Sequence, residues 1–112
     1  MNVLVDRRGA VTVLALRGEV DAGTVSRLRR AVAAEVEAGA RQLVVDLTDV
    51  GFMDSTALAA LLGLQNDMRL DHGGDLRLCG PPPQLRQVLA LTRLEDVFAI
   101  FPHRAAAVAS YL

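Results

Sequence analysis

The chain has 112 residues, which fits a single domain over 1–112, and its 52% apolar content can fill a core without disulfides. Its 13 acidic and 12 basic side chains leave a formal charge of −1, too balanced for a nucleic-acid partner held by phosphate neutralisation. All 12 cations are arginine, so Walker-type nucleotide binding and Schiff-base chemistry, which need lysine, are excluded.

Met1-Asn2-Val3-Leu4-Val5-Asp6 lacks the basic-then-apolar pattern of a signal peptide, and no apolar run nears membrane-spanning length. The expectation is a cytoplasmic protein with no direct membrane insertion. Val3-Leu4-Val5 and Val11-Thr12-Val13-Leu14-Ala15-Leu16 flank Arg7-Arg8-Gly9-Ala10 and predict a β-hairpin. Gly18-Glu19-Val20-Asp21 breaks the second run. Val25, Leu28, Val32 and Val36 then recur at helical spacing up to Gly39.

Leu43-Val44-Val45, closed by Asp46, is short and does not alternate, as suits a strand covered on both faces. A linker over Thr48–Asp54 precedes the longest helical pattern, with Leu58, Leu61, Leu62, Gln65 and Met68 on one face and Gly73-Gly74 after it. Leu76-Arg77-Leu78-Cys79 is another strand, stopped by Gly80-Pro81-Pro82-Pro83. A helix starts near Pro83, since proline suits a first helical turn, with Leu85, Val88 and Leu89 inward. Val97–Phe101 reads as a short edge strand and 104–111 as a closing helix carrying Ala105, Val108 and Ala109. Alternation of strands and helices predicts an α/β fold, a small mixed sheet of four to five strands with helices packed on it. Cys79, the sole cysteine, reads as a buried small hydrophobe.

Loops that follow parallel strands gather at the strands' C-terminal ends, where α/β sheets bind their ligands. Here they bring Glu19, Asp21, Asp46, Asp49, Asp54 and Ser55 to one acidic, hydroxyl-bearing edge. A metal site needs a more compact carboxylate loop than this, and helix capping accounts for most of the aspartates. A hydrolase would use Ser55 as nucleophile. However, the glycines of G-x-S-x-G are absent, and His72 lies at the far end of the helix that Ser55 starts, roughly 20 Å away.

As a phosphate acceptor, Ser55 would hold the new charge against the positive end of its helix and present it to a docked partner. Plain N-capping by Asp54-Ser55-Thr56 explains the same residues with less. Ser55, Ala59 and Gly63 recur at spacings of four with Ala60 beside them. That stripe of small side chains reads equally as a close-contact face or as ordinary helix formers.

Val45-Asp46-Leu47-Thr48-Asp49-Val50-Gly51-Phe52-Met53-Asp54-Ser55-Thr56-Ala57-Leu58 closely resembles the signature of anti-sigma factor antagonists and STAS domains, an apolar strand, an acidic linker and an aromatic before D-S-[ST]-G-L. Leu16-Arg17-Gly18-Glu19-Val20-Asp21 with Thr24 is similar to that family's L-x-G-x-[LV]-D-x-x-T segment. Leu91-Thr92-Arg93-Leu94 through Phe101 resembles its L-x-x-T-G-L-x-x-V-F-x-I-[FY] closing segment. The resemblance implies partner switching without a cofactor. The partners would be an anti-sigma factor with serine kinase activity and a serine phosphatase. Ser55 would be the phosphorylated residue, with Thr56 as a neighbouring second candidate.

By the same resemblance Asp21, Asp54 and Thr56 would lie in or beside the docking surface; Thr24, in the matching loop segment, and Ala59 and Gly63, from the small-residue stripe, are expected to extend it. A different job for the same fold is a freestanding STAS subunit that docks on the ATPase of a membrane lipid transporter without a phosphoswitch. The chain departs from the family pattern at Ala57, a methyl added next to the acceptor where the motif has glycine, and at Arg93 in T-G-L.

Overall fold

All 112 residues are described in the computed structural model. Strand β1 (Asn2–Arg8) turns at Gly9-Ala10 into β2 (Val11–Val20), and Gly9 takes the left-handed conformation the turn requires at φ 62°. The chain continues through α1 (Val25–Glu37), β3 (Gln42–Met53), α2 (Ser55–Asp71), β4 (Asp75–Cys79) and α3 (Pro83–Leu91). A single 3₁₀ turn (Leu94–Asp96), β5 (Ile100–Phe101) and α4 (Arg104–Ala109) complete it.

The five strands lie in sequence order, with β1 antiparallel to β2 and every other pair parallel. Crossovers of one hand between strands laid down in order place their helices on one side of the sheet. Accordingly α1, α2 and α3 bury Leu28, Leu61 and Leu89 with Leu14, Val45 and Leu78 in a cluster of 20 side chains. The opposite face is covered by α4 alone, in a cluster of 5 around Val13, Val44, Cys79 and Ala107. Strand β3 is therefore buried on both faces from Leu43 to Leu47, as its lack of alternation predicts.

Several boundaries differ from the sequence reading. Residues 48–53 continue β3 rather than forming a linker, because β2 also runs on past Gly18 and pairs with them (Gly18 with Val50, Val20 with Met53). Two register shifts, at Ala15/Arg17 and Gly18/Glu19, let the strands keep pairing through residues that locally favour turns. Strand β5 is only Ile100–Phe101, preceded by the 3₁₀ turn instead of starting at Val97. Helix α4 turns Ala107 inward and leaves Ala105 and Ala109 exposed, and Val88 on α3 is 38% exposed rather than core.

The brevity of β5 leaves the start of β4 without a strand neighbour on the side away from β3, and the fully buried Gln65 takes that place. Its Nε2 donates to the carbonyl of Leu76 at 2.9 Å, and its Oε1 accepts from the N–H of Leu76 at 2.8 Å. Farther along, Leu78 and Gly80 donate to the carbonyls of Ala99 and Phe101 in the ordinary way. An amide side chain thus replaces a missing stretch of sheet. On α1 the buried Glu35 is held by Arg7 at 2.6 and 2.8 Å, a two-pronged pair that satisfies a carboxylate taken out of water.

Candidate functional site

The loop after β2 and the end of β3 meet at the C-terminal edge of the sheet, and Asp54 fastens them together. It caps α2, with Oδ1 accepting from the N–H of Ala57 at 2.9 Å. Its Oδ2 accepts from the N–H of Ala22 at 3.1 Å, and its own N–H donates to the carbonyl of Val20 at 3.1 Å. Each carboxylate oxygen thus accepts one backbone N–H, and Asp54 fixes the first turn of α2 against the facing loop.

Asp21 and Thr24 shape the facing loop. Oδ1 of Asp21 accepts from the N–H groups of Gly23 and Thr24 at 2.9 and 3.1 Å. The Thr24 hydroxyl accepts from the N–H of Asp21 at 3.0 Å and lies 3.0 Å from the carbonyl of Glu19, to which it donates.

Ser55 and Thr56, the first two residues of α2, are exposed, and none of the hydrogen bonds that tie this edge together passes through either hydroxyl. They stand where α2 directs unsatisfied N–H groups and the positive end of its dipole. Down the same helix Ala59 and Gly63 are exposed in line with Ser55, and a β-carbon on Gly63 would meet nothing within 4 Å. Ala60 is buried and faces the core, so the small-residue stripe is Ser55, Ala59 and Gly63 without it. Ala57 is also fully buried, and its methyl group points into the domain instead of crowding Ser55.

Asp46 does not belong to this edge. It sits under α4, where Arg104 donates at 3.0 Å and the Thr48 hydroxyl at 2.6 Å. Burial alone would raise its pKa, but the hydrogen bonds from Thr48 and from Arg104 hold the carboxyl below the usual carboxylate range. Next to it, burial and the Asp46 charge push the Cys79 thiol up to about 12, which leaves it protonated and unreactive at neutral pH. Glu19 and Asp49 are exposed on the edge itself.

The two histidines stand apart from Ser55. His72 ends α2 after its 17 residues, and His103 caps α4 on the opposite face of the sheet, with Nδ1 accepting from the N–H of Ala106 at 3.3 Å. No cluster of three or more His, Cys, Asp or Glu side chains comes together in a way that could hold a metal ion. No helix is long and apolar enough to cross a membrane.

One residue that the motif contains but that was not expected in the site is Phe52, a 55% exposed aromatic immediately beside it. With Met53, Pro82, Leu85 and Val88 it lines an open groove of ≈ 150 Å³ between the end of β3 and α3. Its signal was available in the sequence, as the aromatic that precedes Asp54-Ser55-Thr56.

The STAS domain family model matches residues 2–107. The anti-sigma-B factor antagonist of Listeria monocytogenes is 31% identical over 83 residues, which cover 74% of this chain and 72% of that protein. The crystal structure of an anti-sigma factor antagonist from Mycobacterium paratuberculosis is similar at a TM-score of 0.86 and 28% identity, over 97% of this chain and 92% of that one. The Bacillus cell fate determinant SpoIIAA, in its phosphorylated form, shares the fold at a TM-score of 0.76 and 20% identity, over 99% of this chain and 100% of that one.

Proposed function

The chain belongs to the STAS domain family, and from that membership we propose that it is an anti-sigma factor antagonist whose docking is switched off by phosphorylation of Ser55. The observation that carries the switch is the exposed Ser55 at the head of α2, flanked by an aspartate whose two oxygens are both engaged in holding that turn still. A phosphoryl group on Ser55 adds about −1.5 to −2 charges. The N–H groups of the first turn and the helix dipole stabilise that charge, so the domain itself need not rearrange. The partner, which had packed against a neutral hydroxyl, meets a desolvated dianion instead. The kinase activity resides in the anti-sigma factor and its reversal in a separate serine phosphatase, so the antagonist contributes the acceptor and the fit.

The docking surface on this reading is the small-residue face of α2, Ser55, Ala59 and Gly63, with Thr56 at its head. Asp21, Thr24 and Asp54 act behind it by fixing the loop. The buried Ala57 methyl leaves this surface as open as the family's glycine would, so phosphorylation is expected despite the departure.

The test is binding of the purified anti-sigma factor by calorimetry, with and without ATP. Ser55→Ala is expected to bind like the parent and to keep binding when ATP is added. Ser55→Asp is expected to bind at least tenfold more weakly, because an unmatched buried charge costs several kcal/mol. A Ser55→Asp complex as tight as the parent would overturn the switch. A complex with a transporter ATPase that tolerated the same substitution would move the reading to a constitutive docking subunit.

A further inference from the structure

We propose that the groove between the end of β3 and α3 seats one apolar side chain of the anti-sigma factor, with cationic residues beside that side chain on the partner. This rests on the docking reading of the Ser55 face and adds to it a second, apolar anchor point. Scattered exposed hydrophobics are ordinary on a protein surface, but here they converge on a concavity. Phe52 is 55% exposed and Val88 38%, and Met53, Pro82 and Leu85 form the floor and walls between them.

Size selects the occupant. Pockets for drug-sized molecules or cofactors run to about 300–1,000 Å³, whereas this groove holds ≈ 150 Å³. It has room for a single leucine, methionine or phenylalanine side chain. Position selects the source, because Phe52 and Met53 run directly into Asp54 and Ser55. A protein that covers Ser55 therefore lies within three residues of Phe52, one wall of the groove.

Charge selects the neighbours. Glu19 pairs in register with Phe52, and Asp49, Asp21 and Asp54 lie on the same edge. The domain's ion pairs engage Asp6, Glu35, Asp46 and Asp75 and leave all four of these carboxylates out. The nearest cation on these strands is Arg17, which pairs in register with Asp49. On the other wall α3 carries the exposed Arg86, so four carboxylates stand against two guanidinium groups, an acidic excess that favours a partner carrying arginine or lysine around its apolar residue.

The experiment uses the intact protein and its anti-sigma factor, purified after identification on the parent protein from host extract. Affinity is measured for Phe52→Ala, Val88→Ser, Glu19→Arg and Ser55→Asp, each first checked for an unchanged melting temperature. Truncating an interface anchor is expected to weaken binding roughly 10- to 100-fold in Phe52→Ala and less in Val88→Ser. Glu19→Arg is expected to slow association and flatten its salt dependence. A photo-cross-linking phenylalanine analogue at position 52 should attach to an apolar residue of the anti-sigma factor with arginine or lysine nearby.

If Phe52→Ala and Val88→Ser bind like the parent while Ser55→Asp does not, the groove is empty in the complex, and the proposal fails while the docking reading stands. If Ser55→Asp also binds like the parent, both fail. A parent protein that sediments as a dimer and becomes monomeric in Phe52→Ala would show a second copy covering the groove, which overturns the proposal.

Discussion

Gly63→Ala separates the needs of the domain from the needs of its partner. Gly63 lies in the interior of α2, where glycine is less stable than alanine by about 0.5–1 kcal/mol because it has more backbone freedom to lose. A β-carbon there would meet nothing within 4 Å, so no strain offsets the gain. Unfolding entropy of about 2.1 cal/mol/K per residue gives about 0.24 kcal/mol/K for 112 residues. The melting temperature should therefore rise by roughly 2–4 °C. If the face formed by Ser55, Ala59 and Gly63 is the docking surface, the same methyl group intrudes on a packed contact. Overfilling such a contact costs about 1–3 kcal/mol, which raises Kd roughly 5- to 150-fold. Differential scanning calorimetry and titration of the anti-sigma factor read the two effects on one sample. A stabilised variant with unchanged affinity would refute the role of this face in docking. A lowered melting temperature would show that the space beside Gly63 is not open.

The other expectations concern what holds the site in place. Gln65→Leu leaves the N–H and carbonyl of Leu76 without partners, at about 1–3 kcal/mol for each buried group. The expected loss is about 2–4 kcal/mol in urea unfolding once the gain from the added apolar side chain is counted, and a loss below 1 kcal/mol would contradict the strand-replacement role. Arg93 occupies the left-handed region at φ 59°, which explains why the family pattern has glycine there. Arg93→Gly should raise stability by about 0.5–1 kcal/mol, and a drop would mean the arginine side chain contributes more than its backbone costs.

Asp46 and Asp75 both titrate below ordinary carboxyls. Burial opposes this in Asp75, and hydrogen bonds from Arg77 and Gln65 outweigh it. Unfolding then takes up protons in acid, so their stabilisation is complete above about pH 4 and is lost as pH falls through the lowered folded values. Melting temperatures measured from pH 7 to pH 2 should fall only at the acid end, and Arg104→Gln should flatten part of that fall. A decline already under way at pH 6 would assign acid sensitivity to other groups.

The periodicities of this chain determine which segments are strands and which are helices, because burial follows from the repeat of Val25, Leu28 and Val32 or the unbroken run Leu43-Val44-Val45. The capping chemistry of Asp54-Ser55-Thr56 likewise places Ser55 at a helix start, and the structure puts it there. Features that depend on distant partners were not legible. Residues 48–53 look like a linker until β2 is laid beside them, since bulged long-range pairing overrides the local turn preference of Thr48, Asp49 and Gly51. Gln65 reads as one more inward position on a helix, and its purpose depends on how short β5 turns out to be. Asp46, Asp49 and Asp54 are near neighbours in sequence with similar chemistry. Only the tertiary structure sends the first beneath α4 to Arg104, leaves the second exposed, and makes the third a clamp, because the face each one meets is set by the pleat of β3 and by what packs on it.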